Sequence, residues 1–176
     1  SYYGSIFTGD VSANLVRRET LSPNGVTFLA KPAKDKTEFL ASTDMWFRPA
    51  HFANAPDGNF YVIDMYREYI ETPESIPEEI KKGLNFWSGD DMGRIYRLKS
   101  KQPRKQRTLN VNLGKLSSAE LVKLLEESNG WHRQTAHRLL LERQDKSVAP
   151  LLTAMAAESK MPQARLHALW LLKGTG

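Results

Sequence analysis

The sequence predicts a mixed fold, β first and α second: the last blades of a β-propeller followed by an α-helical, HEAT-like solenoid. Three observations predict it. Short runs rich in β-branched and aromatic residues recur between turn signals up to about residue 98. Beyond residue 112 the apolar positions switch to helical spacing. Each half also contains an internal repeat, the sequence mark of architectures built by stacking one unit on the next. The expected organisation is propeller blades over 1–99 with an insertion at 65–92, a basic linker or outer strand over 100–112, and helical repeats over 113–176.

The strands come first. Asn59-Phe-Tyr-Val-Ile-Asp64 follows Pro56-Asp-Gly58, and Val26-Thr-Phe-Leu-Ala30 follows Ser22-Pro-Asn-Gly25, so each run is preceded by a turn. Asn14-Leu-Val-Arg-Arg18 and Arg94-Ile-Tyr-Arg-Leu98 alternate apolar and polar residues, as half-buried strands do. Gly4–Asp10 lies over Gly58–Asp64 at an offset of 54, and Asn14–Arg17 lies over Arg94–Arg97 at an offset of 80. The difference of 26 between these offsets marks an insertion after Asp64. Within it, Pro77-Glu-Glu-Ile-Lys-Lys82 and a terminal Gly83 spell a short helix, with acids early and lysines late.

The helices follow. Ser117-Ser-Ala-Glu120 is a capping box opening a helix expected to close at Asn129-Gly130. Further helices are expected over Trp131–Arg143, Ser147–Ser159 with Pro150 in its first turn, and Pro162–Lys173 closed by Gly174. Arg133-Gln-Thr-Ala136 through Leu140 lies over Arg165-Leu-His-Ala168 through Leu172 at a spacing of 32. Arg133 and Arg165 are expected to bond the turn before their helix. Leu169, Trp170 and Leu172 are expected to pack on a further repeat, because solenoids need about three. The chain is thus expected to be a piece of a longer protein.

Composition excludes several classes. With 176 residues, 40% of them hydrophobic, the chain carries enough apolar material for a core, and no apolar run is long enough to span a bilayer as a helix. Without cysteine there is no disulfide, thiolate nucleophile, c-type haem attachment or cysteine zinc site. Ser1–Asp10 shows no signal peptide. The net charge of +5 is concentrated in Arg94, Arg97, Lys99, Lys101, Arg104, Lys105 and Arg107, a stretch without an acid. Such a run is either a phosphate-binding patch or a solvated, self-repelling linker. No aromatic residue follows Tyr96 in it and no nucleic-acid motif accompanies it, so the linker is favoured and no nucleic-acid partner is expected. His132, His137 and His167 have no histidine partner at i+4, so a metal site is not expected there. Phosphate-binding glycine loops, nucleophile elbows and His-Glu-x-x-His are all missing.

The segment Glu38-Phe-Leu-Ala-Ser-Thr-Asp-Met-Trp-Phe-Arg-Pro49, then Ala55-Pro-Asp-Gly58, Phe60–Arg67, Ile70-Glu-Thr-Pro73 and Gly93-Arg-Ile-Tyr-Arg97, resembles the end of the propeller in the membrane-bound dehydrogenase family. That family is similar to glucose/sorbosone dehydrogenases. Trp131–Ala136 and Ala164–Trp170 resemble the helical repeats that follow its propeller. The resemblance implies an exported or periplasmic protein using pyrroloquinoline quinone (PQQ) and calcium on a sugar or alcohol. It also implies helical repeats that act as scaffold for a protein partner or a cytochrome domain, with any haem c lying in a domain outside this chain. The family's catalytic histidine belongs to an earlier blade, so no catalytic residue is assigned and this chain alone is expected to be inactive.

Within that frame Arg48 and His51 start a channel-lining strand. Arg48 suits a carboxylate of the quinone, and His51 suits a base or ligand role. The alternative has Arg48 tie neighbouring blades together by bonding loop carbonyls, with His51 a satisfied structural group. Tyr66, Arg67 and Glu68 form a group able to bind a polar substrate, and Asp64 and Glu71, with Asp44, carry oxygens suited to calcium. The alternative there is an ion-paired network fixing the insertion. The functional expectation is part of a quinone-dependent sugar or alcohol dehydrogenase-like protein. Its rival is a non-catalytic propeller–solenoid that binds glycan or protein.

Overall fold

The computed structural model describes residue 2, residues 4–101 and residues 111–176. Most of the 100–112 linker, with Arg104, Lys105 and Arg107, therefore lies outside the described residues. The chain divides into two compact units, residues 1–53 with 61–98, and residues 54–60 with 99–176.

The first unit carries two antiparallel sheets. In one, β1 (Ser5–Asp10), β2 (Leu15–Asn24) and β3 (Thr27–Pro32) lie in order, and the short β4 (Leu40–Ala41) also pairs with β2. In the other, β5 (Pro49–Asn54), β6 (Phe60–Asp64) and β7 (Arg94–Leu98) lie in order. The turn expected at Ser22–Gly25 is shorter than its signal. Asn24 pairs with Thr27, so only Gly25 and Val26 form the loop. Gly25 has φ 61, the positive angle that the first position of such a two-residue loop demands. Pro23 therefore sits inside β2. The pairing with β1 ends at Thr20, so β2 has one neighbour at Pro23 and a missing N–H there is tolerated.

The internal repeat falls on equivalent neighbours. It matches β1 with β6 and β2 with β7, and each pair is adjacent in its sheet. A short turn joins β1 to β2, whereas residues 65–93 join β6 to β7. That long connection holds a 3-10 turn (Pro73–Ser75) and the four-residue α1 (Glu78–Lys81), which starts one residue after Pro77, the proline expected in its first turn.

The second unit is helical. α2 (Ser118–Leu124) begins with a complete capping box between Ser117 and Glu120. It stops earlier than expected, because Asn129 does not close it. Instead the Asn129 side chain accepts from the Trp131 N–H and caps α3 (Gly130–Arg143). α4 (Ala149–Glu158) accommodates Pro150 in its first turn, and α5 (Pro162–Thr175) begins on Pro162. Gly174 lies inside α5 and does not terminate it; a Cβ there would come within 2.6 Å of Leu141 Cδ1, so the missing side chain lets α5 approach α3. Leu113, Leu121, Leu125, Leu140, Leu152 and Leu171 belong to one buried cluster across these elements. Leu172 packs against that cluster, contrary to its expected outward role, while Leu169 and Trp170 are exposed.

Among the described residues no helix is long and apolar enough to cross a membrane.

Candidate functional site

In the three-stranded sheet, the start of β5, the end of β6 and the start of β7 share one edge, because neighbouring strands run in opposite directions. Arg48, Asp64 and Arg94 stand at those three ends. Asp64 is fully buried, and its Oδ1 accepts from the Arg48 N–H at 2.8 Å and the Tyr66 N–H at 2.9 Å. Its Oδ2 is buried without a hydrogen-bond partner among the described residues, and Arg94 Nε lies 3.9 Å away. A buried carboxylate this committed to two backbone amides pins the base of the loop that leaves β6.

Arg48 is buried, and its guanidinium donates to three main-chain carbonyls. Nε reaches Arg67 O at 2.9 Å, Nη1 reaches Val11 O at 2.6 Å and Nη2 reaches Glu68 O at 2.7 Å. All three acceptors are loop carbonyls, as Val11, Arg67 and Glu68 lie outside the strands. His51 is exposed on β5, three residues further along.

Tyr66 is the centre of the arrangement. Its backbone is left-handed, with φ 51. A β-turn-forming or glycine residue would adopt that angle freely; a tyrosine there is held by its surroundings. Arg94 stacks on its ring with the guanidinium carbon 3.6 Å from the centroid, and Trp46 lies beside it at 5.7 Å. The Asp44 carboxylate, accepting from the Tyr66 hydroxyl, holds the phenol above its ordinary pKa, with partial desolvation adding to the effect. Gly89, at φ 86, makes room for this fold of the loop: a Cβ on it would come within 2.5 Å of Tyr66 O.

Arg67 donates from its backbone to Trp46 O and from Nη1 to Trp87 O, the latter at 3.5 Å. Glu68 shares its backbone with the Arg48 guanidinium and Ser88 O. Trp87 itself is 74% exposed, and Met45, Met65 and Met92 are also exposed. Glu71 is exposed and accepts from the Ile70 N–H. The structure thus brings Arg48, Asp64, Tyr66, Arg67 and Glu68 into one bonded group, and its contacts leave His51 and Glu71 outside it. Among the described residues, no three His, Asp or Glu side chains gather where they could hold a metal ion.

Sequence reasoning missed Asp44 as a partner of Tyr66, Arg94 as its stacking partner and Trp87 as an exposed indole. Arg94 was assigned to the solvated basic run. The repeat that pairs β6 with β7 was the signal that could have found it, since it places the start of β7 beside the end of β6.

Residues 1–102 match the family described as a domain of unknown function, DUF7133. No curated protein and no solved structure matches the chain.

Proposed function

The chain belongs to the DUF7133 family, and we propose that it is part of an exported, quinone-dependent sugar or alcohol dehydrogenase-like protein in which the loop after β6 contacts the substrate. On this reading the sheets are the last blades of a propeller and the helices are HEAT-like scaffold. The observation that carries it is the Asp44–Tyr66–Arg94 group, together with Trp87, whose main-chain carbonyl accepts from the Arg67 side chain and whose indole is exposed. A polyol is recognised by an aromatic face for its C–H surface and by fixed donors and acceptors for its hydroxyls. Tyr66, Arg67, Asp44 and Trp87 supply both kinds of group.

The bonds these residues already make weigh against a quinone or calcium site built from them alone. A quinone carboxylate would have to compete with the three carbonyls that already hold Arg48. Asp64 spends Oδ1 on backbone amides and Glu71 stands apart. The proposal therefore assigns this chain substrate contacts and support, and leaves cofactor and calcium to residues outside it.

A second reading, a non-catalytic binder of glycan or protein, is favoured by that same commitment of Arg48 to main-chain carbonyls. One assay separates the two. The full-length protein is loaded with quinone and calcium and given a dye acceptor over a panel of sugars and alcohols. Turnover of any of them supports the dehydrogenase reading. Glycan binding without turnover of any of them sinks it and leaves the binder.

A further inference from the structure

The fold brings together two histidines that the sequence does not pair. His137 on α3 and His167 on α5 face each other with Nδ1···Nδ1 at 3.2 Å and ring centroids 5.0 Å apart. We propose that this pair is a solvent-completed, two-imidazole site for a divalent transition ion, zinc in particular.

The distance carries the argument. Two nitrogens each about 2.0–2.1 Å from one tetrahedral ion stand about 3.3 Å apart. The observed separation is that edge, so an ion could be seated with little movement of either helix. Without an ion, the same separation fits a single proton shared between the rings. Ion entry asks the donor ring to move its proton from Nδ1 to Nε2, a change of tautomer with no net loss of a proton.

Three further features agree. Both rings are half-buried, so they are anchored yet reachable. His137 also lines a cleft of about 260 Å³ with Leu141, Trp170, Lys173 and Gly174, so one ring of the pair borders open space. Among the described residues no third carboxylate or imidazole joins the pair, so water completes the shell, an open rather than a closed site. The Arg133 charge opposes a dication, but its Nη1 is turned to Glu127 O and Ser128 O.

The test uses the whole chain. Calorimetric titration with zinc should show one ion bound per chain. His137→Gln and His167→Gln should each weaken binding by at least about tenfold, the loss that even an outer-shell partner causes. His51→Gln should leave it unchanged. With copper(II), which fills such sites more tightly than zinc, the electron paramagnetic resonance spectrum should show splitting from two nitrogens. Zinc affinity that survives in both variants, or a one-nitrogen copper spectrum, overturns the proposal. If a variant unfolds, the copper spectrum of the unaltered chain and of His51→Gln decides the matter.

Discussion

The two units are held together by different means. The first buries few apolar side chains, chiefly Val16, Phe47 and Val62, and buries Asn14, Arg48 and Asp64 beside them. Each of these polar groups grips main chain: Asn14 Nδ2 donates to Met45 O and Phe47 O, Arg48 to three carbonyls, and Asp64 accepts from two amides. The second unit buries a continuous apolar cluster, and side-chain caps close the starts of α2 and α3. The comparison teaches that the sheet-bearing unit spends its buried polarity on fixing loops. The residues proposed to meet the substrate stand on those loops, where the path of the backbone matters more than depth of core.

The largest expected effect lies in the helical unit. Leu140→Ala removes a buried side chain from the middle of the cluster and should cost about 2–5 kcal/mol, read by denaturant unfolding through the helical signal. Next comes the polar staple. Arg48→Met keeps much of the volume but strands the carbonyls of Val11, Arg67 and Glu68, and should cost about 2–4 kcal/mol. Arg48→Lys should recover only part of that, since one ammonium does not reproduce the fork. A loss below about 0.5 kcal/mol for Arg48→Met, within the range of an ordinary surface change, would erase the contrast between the units.

Smaller effects sharpen the helical side. Ser117→Ala should cost about 1 kcal/mol, because it removes the hydroxyl that accepts from the Glu120 N–H. Ionisation at the same cap gives a pH dependence. Hydrogen bonds from the Ser117 hydroxyl and N–H hold Glu120 below its usual pKa, and those from Ser147, then Ser118, do the same for Asp145. A carboxyl whose folded pKa is depressed stabilises the fold above its unfolded pKa and loses that contribution as pH falls through the folded value. The helical unit should therefore weaken on acidification below about pH 4, the ordinary carboxylate range, and Glu120→Gln should flatten part of that slope in pH-dependent unfolding.

Much of this was legible in the residues. The capping box at Ser117 and the proline start of α5 are local signals, and each element begins where they say, while α1 begins one residue after its proline. The expectation for Arg133 carried through, since it bonds Glu127 O and Ser128 O just before α3, whereas Arg165 bonds Ala156 O inside α4 rather than the turn before α5. What was not legible depends on contacts between distant segments. Arg94 reads as one charge among seven, and only the pairing of β6 with β7 sets it over Tyr66. His137 and His167 are 30 residues apart while the helical repeat runs at 32, so they occupy different positions in their helices and meet only through the packing of α3 on α5. Asn129-Gly130 carries equally good signals for ending one helix or starting the next, and the cap bond to Trp131 decides for the start.

The central claim, that the loop after β6 meets the substrate, is tested most directly at Trp87, which is exposed and can be removed without opening a core. In the quinone- and calcium-loaded full-length protein, Trp87→Ala should raise KM by about tenfold, equivalent to about 1.4 kcal/mol of binding, with kcat retained. An unchanged KM for every sugar and alcohol turned over would contradict it.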